Sequence, residues 1–291
     1  MSYLGELREC LKLESSIKDD VLLELNGHLE DKSRDLVASG LSDEVARLEA
    51  IESLGSSRLL AKQIYEVYSQ GTWKQALCAA LPHFLVAVLF ALHLLPSLIW
   101  LACLLLLSMA TVIYGWCRGK PAWLFPWLGS LLSPAIITGI ALIYLPNGWT
   151  WFAALTYIPL AVLVLIMVTK QTLKRDWLFI SLMLLPVPIV LGWVLAFSLG
   201  NAYFNPQHIY ESGLWIALSF VVLALTVVIF VRARQRWLKI WTLVIPEILI
   251  ITVVVLNSQS NISFWGWFFL SLLALTLMFC PALMERTYHR T

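Results

Sequence analysis

Beyond about residue 75 the chain alternates long apolar stretches with short polar turns, whereas the first 70 residues mix apolar and charged positions. Eight apolar segments stand out, at roughly 76–95, 97–117, 122–145, 149–169, 177–199, 213–231, 238–256 and 263–284. Each approaches the ~20 residues a helix needs to cross the hydrocarbon core. Only Leu95-Pro96-Ser97 separates the first two, so they are either two crossings joined by a tight hairpin or a re-entrant pair. Before residue 70 the pattern predicts short amphipathic helices. Val21, Leu22, Leu25, His28, Leu29 and Leu36 recur at helical spacing, and Val45, Leu48, Ile51 and Leu54 form a second apolar stripe. Leu59, Leu60, Ile64 and Val67 mark a third helix. Ser16 with Asp19 has the form of a capping box, Gly40 and Gly55 are expected helix stops, and Ser42 is the expected cap of the next helix. The prediction is an all-α protein: a small helical domain over 1–70, then an eight-helix transmembrane bundle over 71–291.

Charge sharpens that boundary. Residues 1–70 hold eight Lys/Arg against fourteen Asp/Glu, a net of −6; residues 71–291 hold twelve against four, a net of +8. The chain is 60% hydrophobic and 13% charged, against roughly 25% charged in a soluble domain. The start is charged and lacks the apolar core of a signal peptide, so the first domain is expected in the cytoplasm. With the N-terminus inside, the inner connections carry Arg118, Lys120, Lys170, Lys174, Arg175, Arg232, Arg234 and Arg236, with Lys239 just beyond, and the outer ones carry no Lys or Arg. All twenty basic residues then fall on one side, as cytoplasmic loops require. Both termini are therefore expected in the cytoplasm, and the bilayer is the expected surrounding. Trp73, Trp116, Trp123, Trp127, Trp177, Trp237 and Trp241 fall near the inner surface and the other seven tryptophans near the outer one, as in an aromatic belt.

Three helices open on Trp and carry Pro nine residues later: Trp73/Pro82, Trp177/Pro186 and Trp237/Pro246. Trp123/Pro134, eleven apart, is a looser match. Either four hairpins repeat one ancestral unit, or common membrane residues coincide. Nine rises place each proline ~13 Å into its helix, where it frees a carbonyl and kinks the chain. His83 follows Pro82 and Glu247 follows Pro246. A charge at mid-membrane costs roughly 2.5–3.5 kcal/mol. Two outcomes are open: the two pair, to relay protons or hold a polar headgroup, or each stays neutral and bonds a nearby carbonyl or hydroxyl. His93 is expected at the outer surface. The outer loop 200–213 contains His208 and Glu211, three apart, which is an incomplete metal site. Cys10, Cys78, Cys103, Cys117 and Cys280 form no CxxC pair and are expected to pack as small hydrophobes.

No catalytic motif, cofactor motif or P-loop is recognisable, and neither an enzyme nor direct nucleic-acid binding is expected. The series Glu24-Leu25-Asn26-Gly27-His28-Leu29-Glu30-Asp31, Leu36-Val37-Ala38-Ser39-Gly40-Leu41-Ser42-Asp43-Glu44 and Ala50-Ile51-Glu52-Ser53-Leu54-Gly55 resembles the permease-prefix domain and the related HAAS signalling domain over residues 15–66. The resemblance implies a bacterial inner-membrane protein, near ABC-type export permeases or small membrane partners of PadR-type regulators. The first functional expectation is therefore a regulatory or scaffolding membrane protein whose cytoplasmic domain binds another protein. The alternative is a transporter or exporter subunit with a kinked-helix cavity at His83 and Glu247. A membrane enzyme acting on lipid would need clustered His, Asp or Glu, which the sequence does not show. The acidic face with Glu24, Glu30, Asp31 and Asp35 is expected to dock on the basic loops with Lys174, Arg175, Arg232, Arg234 and Arg236.

Overall fold

All regular structure among the described residues of the computed structural model is helical. Those residues are 3–11, 13, 15–94, 98–143, 176–198, 210–257 and 264–288, with scattered positions between 151 and 172. The chain divides into two units, Met1–Gln70 with Arg234–Arg236, and Gly71–Ala233 with Trp237–Thr291.

The first unit holds α1 (Tyr3–Cys10), α2 (Ser15–Ala38), α3 (Asp43–Ser53) and α4 (Ser57–Tyr68). Its core is Leu7, Leu11, Leu13, Ala61 and Tyr65, with Ile17, Leu22, Leu25, Leu60 and Ile64 packed against them. Fully burying a leucine stabilises by about 1.5–3 kcal/mol, so Leu7, Leu11 and Leu13 are principal contributors. Helix α2 starts at Ser15, so Ser16 lies one residue inside it rather than capping it. It ends as expected: Gly40 sits at φ 103° and Leu41 N–H reaches Leu36 O at 3.3 Å, a Schellman closure. Ser42 occupies the N-cap position of α3 in extended conformation but makes no side-chain cap bond; Ser56 caps α4 by accepting from Leu59 N–H. Tyr3 Oη donates to Gly55 O at 3.1 Å, joining α1 to the end of α3. Burial, with Glu6 adding, pushes that phenol above its usual range.

The stripe expected on α3 is corrected. Ala46 and Ala50 are buried, while Val45 and Leu48 are 47% and 67% exposed. Alanines let α3 lie close on α2, and the bulkier pair is left on the opposite side of the helix.

The second unit holds α5 (Trp73–Ala91), α6 (Leu98–Cys117), α7 (Leu124–Ile143), α8 (Trp177–Leu184), α9 (Pro186–Ser198), α10 (Gly213–Arg232), α11 (Arg236–Asn257) and α12 (Phe264–Tyr288). Six stretches among the described residues are long and apolar enough to cross a membrane: Trp73–Ala91, Ile99–Cys117, Trp177–Phe197, Gly213–Arg232, Arg236–Leu256 and Gly266–Met284. The chain is thus built as a multi-pass membrane protein. The third expected segment coincides with α7, and most of the fourth, 149–169, lies outside the described residues. Ile99, Leu106, Leu225, Leu256 and Phe269 point outward from these helices and are each more than half exposed, a surface suited to acyl chains rather than water.

Helix α5 begins with a capping box the sequence reading missed: Gln75 N–H donates to Thr72 Oγ1 and Thr72 N–H to Gln75 Oε1. Its broadest packing is along α10, and it also packs on α7; α8 packs on α7 and α12. The Trp177–Phe197 span breaks at Leu185, just before Pro186.

Candidate functional site: polar residues inside the membrane helices

The buried face of α5 is Ala76, Ala79, Ala80, His83 and Ala87. Small side chains allow two backbones to approach, which is how membrane helices gain contact without a hydrophobic driving force. Helix α10 packs along α5, with Phe220 against His83 and stacked on Phe90. His83 sits mid-face, 1% exposed, its ring centroid 6.5 Å from that of Phe220. Its Nδ1 has no hydrogen-bond partner among the described residues.

Pro82 has no N–H, so the carbonyl of Cys78, four residues earlier, loses its helical donor. Trp127 of α7 supplies one: its Nε1–H donates to Cys78 O at 2.9 Å. Trp127 is 1% exposed, so it is a core donor and not the interfacial anchor expected of it. Trp177 and Trp193 are also buried, Trp193 donating to Ser219 Oγ at 3.3 Å. Trp73 and Trp237 remain exposed. A sequence cannot separate these groups, because both sit near helix ends.

Helix α11 buries Leu243, Glu247, Ile250 and Val254, one seam at helical spacing. Glu247 occupies its middle, 6% exposed, with neither carboxyl oxygen hydrogen-bonded among the described residues. Of the expected pairing, direct or through one water, no direct His83–Glu247 hydrogen bond is made. The physical reason is direction: the shared position after proline sets depth along a helix, not which neighbour it faces. His83 meets Phe220 of α10, and α11 is not among the extended packing partners of α5. The seam of α11 runs past Gly192 of α9, where an added Cβ would lie 3.7 Å from Val254 Cγ1.

Two further ionisable residues, at a membrane boundary in the sequence, are buried. Asp176 is fully buried and caps α8, its Oδ1 accepting from Leu178 N–H at 3.3 Å. Lys239 is 2% exposed with Nζ 5.4 Å from the Phe230 ring centroid. Phe230 meets Phe179 edge-on, and Phe179 meets Phe125 at 4.9 Å. Asp immediately before a Trp-led apolar run was the available signal for the cap.

Of the residues expected at a docking face, Glu24, Glu30, Asp31 and Asp35 are all exposed on α2. Glu24 pairs with His28 at 3.9 Å, Asp31 with Arg34 at 3.2 Å, and Glu30 accepts from Asn26. Lys174 and Arg175 lie outside the described residues. Arg232 donates to Gly71 O at 3.0 Å and lies over the Trp73 ring, while Arg234 donates to Gln70 Oε1 at 2.7 Å. Arg236 is the first residue of α11. His208 and most of the 200–213 loop lie outside the described residues; Tyr210 packs edge-on against His93, centroids 4.4 Å apart. Among the described residues no three His, Cys, Asp or Glu side chains cluster as metal ligands. Cys103, Cys117 and Cys280 are exposed rather than packed inside as expected, since an apolar thiol suits a lipid-facing position as well as a core. No family model, curated protein or solved structure matches this chain.

Proposed function

We propose that this is a regulatory or scaffolding membrane protein whose N-terminal helical unit binds a partner protein. The observation that carries the reading is the outward face of α3. Val45 and Leu48 are exposed there, and Glu44, Glu49 and Glu52 on the same helix are exposed as well. An apolar pair among acids suits a partner helix that presents apolar and basic residues together. The resemblance of residues 15–66 to permease-prefix and HAAS domains supports the same role. The proposal includes eight spans and cytoplasmic termini in a bacterial inner membrane. Full-length protein purified from native membranes should retain a partner that Val45→Ser/Leu48→Ser loses, with the helical content of both forms equal. An identical set of retained proteins would reject the reading.

A second reading, a transport or export subunit, is favoured by one observation: Glu247 and His83 each place inside the helices a polar atom with no hydrogen-bond partner among the described residues. Buried polar groups without partners are costly and tend to persist where function needs them. In a cysteine-free background, a cysteine replacing Glu247 should react with a hydrophilic thiol reagent if an aqueous path reaches it. No modification at any reagent concentration would remove this reading.

A further inference from the structure

The turn between α6 and α7 carries chemistry that neither reading uses. Helix α6 closes by a Schellman arrangement: Arg118 N–H bonds Tyr114 O at 3.1 Å, and Lys120 N–H reaches Gly115 O at 3.0 Å, with Gly119 at φ 86°. Glycine at that position is ordinary. Lys120 is not: it too is left-handed, at φ 61°, which a side chain with a Cβ adopts at a cost. Such strain persists where the surrounding structure over-determines it, and it points to function more often than chance.

What the strained turn does is place two cations on aromatic rings. Lys120 Nζ lies 4.4 Å from the Trp116 ring centroid. Arg118 Cζ lies 5.1 Å from the Tyr114 ring, and Tyr114 stacks on Trp123 with centroids 6.4 Å apart and planes 22° apart. The Trp123 ring in turn rests on Gly115, where an added Cβ would come 2.8 Å from Trp123 Cη2. The turn directly follows the candidate span Ile99–Cys117, at the depth where aromatic rings meet headgroups. Residues 98–143 contain no Asp or Glu, so nothing within the segment repels an anion.

We propose that this turn binds the phosphodiester headgroup of an anionic phospholipid. A guanidinium lying on a ring still presents its N–H edge, a geometry matched to phosphate oxygens. Ring contact also restricts two long side chains in advance, so less freedom is lost on binding. Basic residues at a bilayer surface attract anionic lipid, and here their positions are set by the backbone rather than by chance extension. The site is independent of the partner-binding role of the N-terminal unit.

The test uses the full-length protein in neutral detergent, titrated with phosphatidylglycerol, phosphatidylcholine or inorganic phosphate. Bound lipid is counted by native mass spectrometry and the unfolding temperature is read in parallel. Phosphatidylglycerol should bind and raise the unfolding temperature, and Arg118→Gln/Lys120→Gln should weaken its binding by roughly tenfold or more. Lys120→Gly relieves the left-handed strain while removing the cation. It should fold at least as well as wild type yet bind phosphatidylglycerol more weakly, a split that a purely structural lysine would not produce. Unchanged phosphatidylglycerol binding in both variants overturns the proposal. Equal stabilisation by phosphatidylcholine overturns the anionic preference, and equal stabilisation by inorganic phosphate alone overturns the lipid assignment.

Discussion

Pro82 leaves the Cys78 carbonyl without its helical donor, and Trp127 replaces that donor from another helix. Trp127→Phe keeps an aromatic side chain but removes the indole N–H, stranding a buried acceptor. We expect a loss of about 1–3 kcal/mol in unfolding free energy. The loss should shrink in a Pro82→Ala background, where residue 82 regains its N–H and bonds Cys78 O itself. Equal losses in both backgrounds, measured by unfolding in detergent, would contradict this account. Ser181 Oγ donates to Met278 O at 2.7 Å, a further side-chain bond between helices. The freed Cys78 carbonyl was legible in the sequence because it follows from proline chemistry alone. Its donor was not, because Trp127 lies 49 positions from Cys78 and nothing local joins them.

Between elements, close approach decides more than hydrophobicity. An added Cβ at Gly129 of α7 would run into the carbonyl oxygen of Met183, beside the break between α8 and α9. Backbone cannot swing aside as a side-chain tip can, so Gly129→Ala must push the helices apart. The expected cost is about 1–3 kcal/mol, read as a lower unfolding temperature of the membrane unit. Gly27, inside α2, has nothing within 4 Å of an added Cβ. Gly27→Ala should therefore stabilise the first unit by about 0.5–1 kcal/mol, seen in helical signal during denaturation. If the two substitutions shift stability alike, packing is not the cause. Helix existence and the Gly40 stop were readable from periodicity and from glycine. The α3 face was not: Ala46 and Ala50 compete with Val45 and Leu48 for the buried side, and two helical stripes in one short segment are indistinguishable until a neighbour chooses.

At the scale of the molecule, the division of charge at residue 70 and the apolar spans were readable because bilayer thickness imposes a length on the sequence. Neighbour relations among the spans were not, since any apolar helix can pack on any other in lipid. Hence the shared position of His83 and Glu247 after proline did not say which helix each would face, and no direct bond joins them. The proposed orientation has a direct check. A cysteine replacing Gln207 should be labelled by an impermeant reagent from outside intact cells, and one replacing Lys174 should not. The reverse pattern would invert the topology.

The broad contact between α5 and α10 also sets a timetable for biosynthesis. His83 meets Phe220, but α10 is translated long after α5. A gap of roughly 140 residues at about 5–20 residues per second means ~7–30 s between the two. Throughout that interval α5 has α7 beside it but presents its α10-facing side, His83 included, to lipid or to the insertion machinery. A chain stopped after Ser198 should thus be cleared by membrane proteases faster than the full-length protein in a pulse-chase experiment. His83→Leu should lengthen the truncated chain's half-life, because it removes the polar group awaiting its cover. A truncated chain as long-lived as the complete one would mean that the late partner is dispensable for holding the early helix in the membrane.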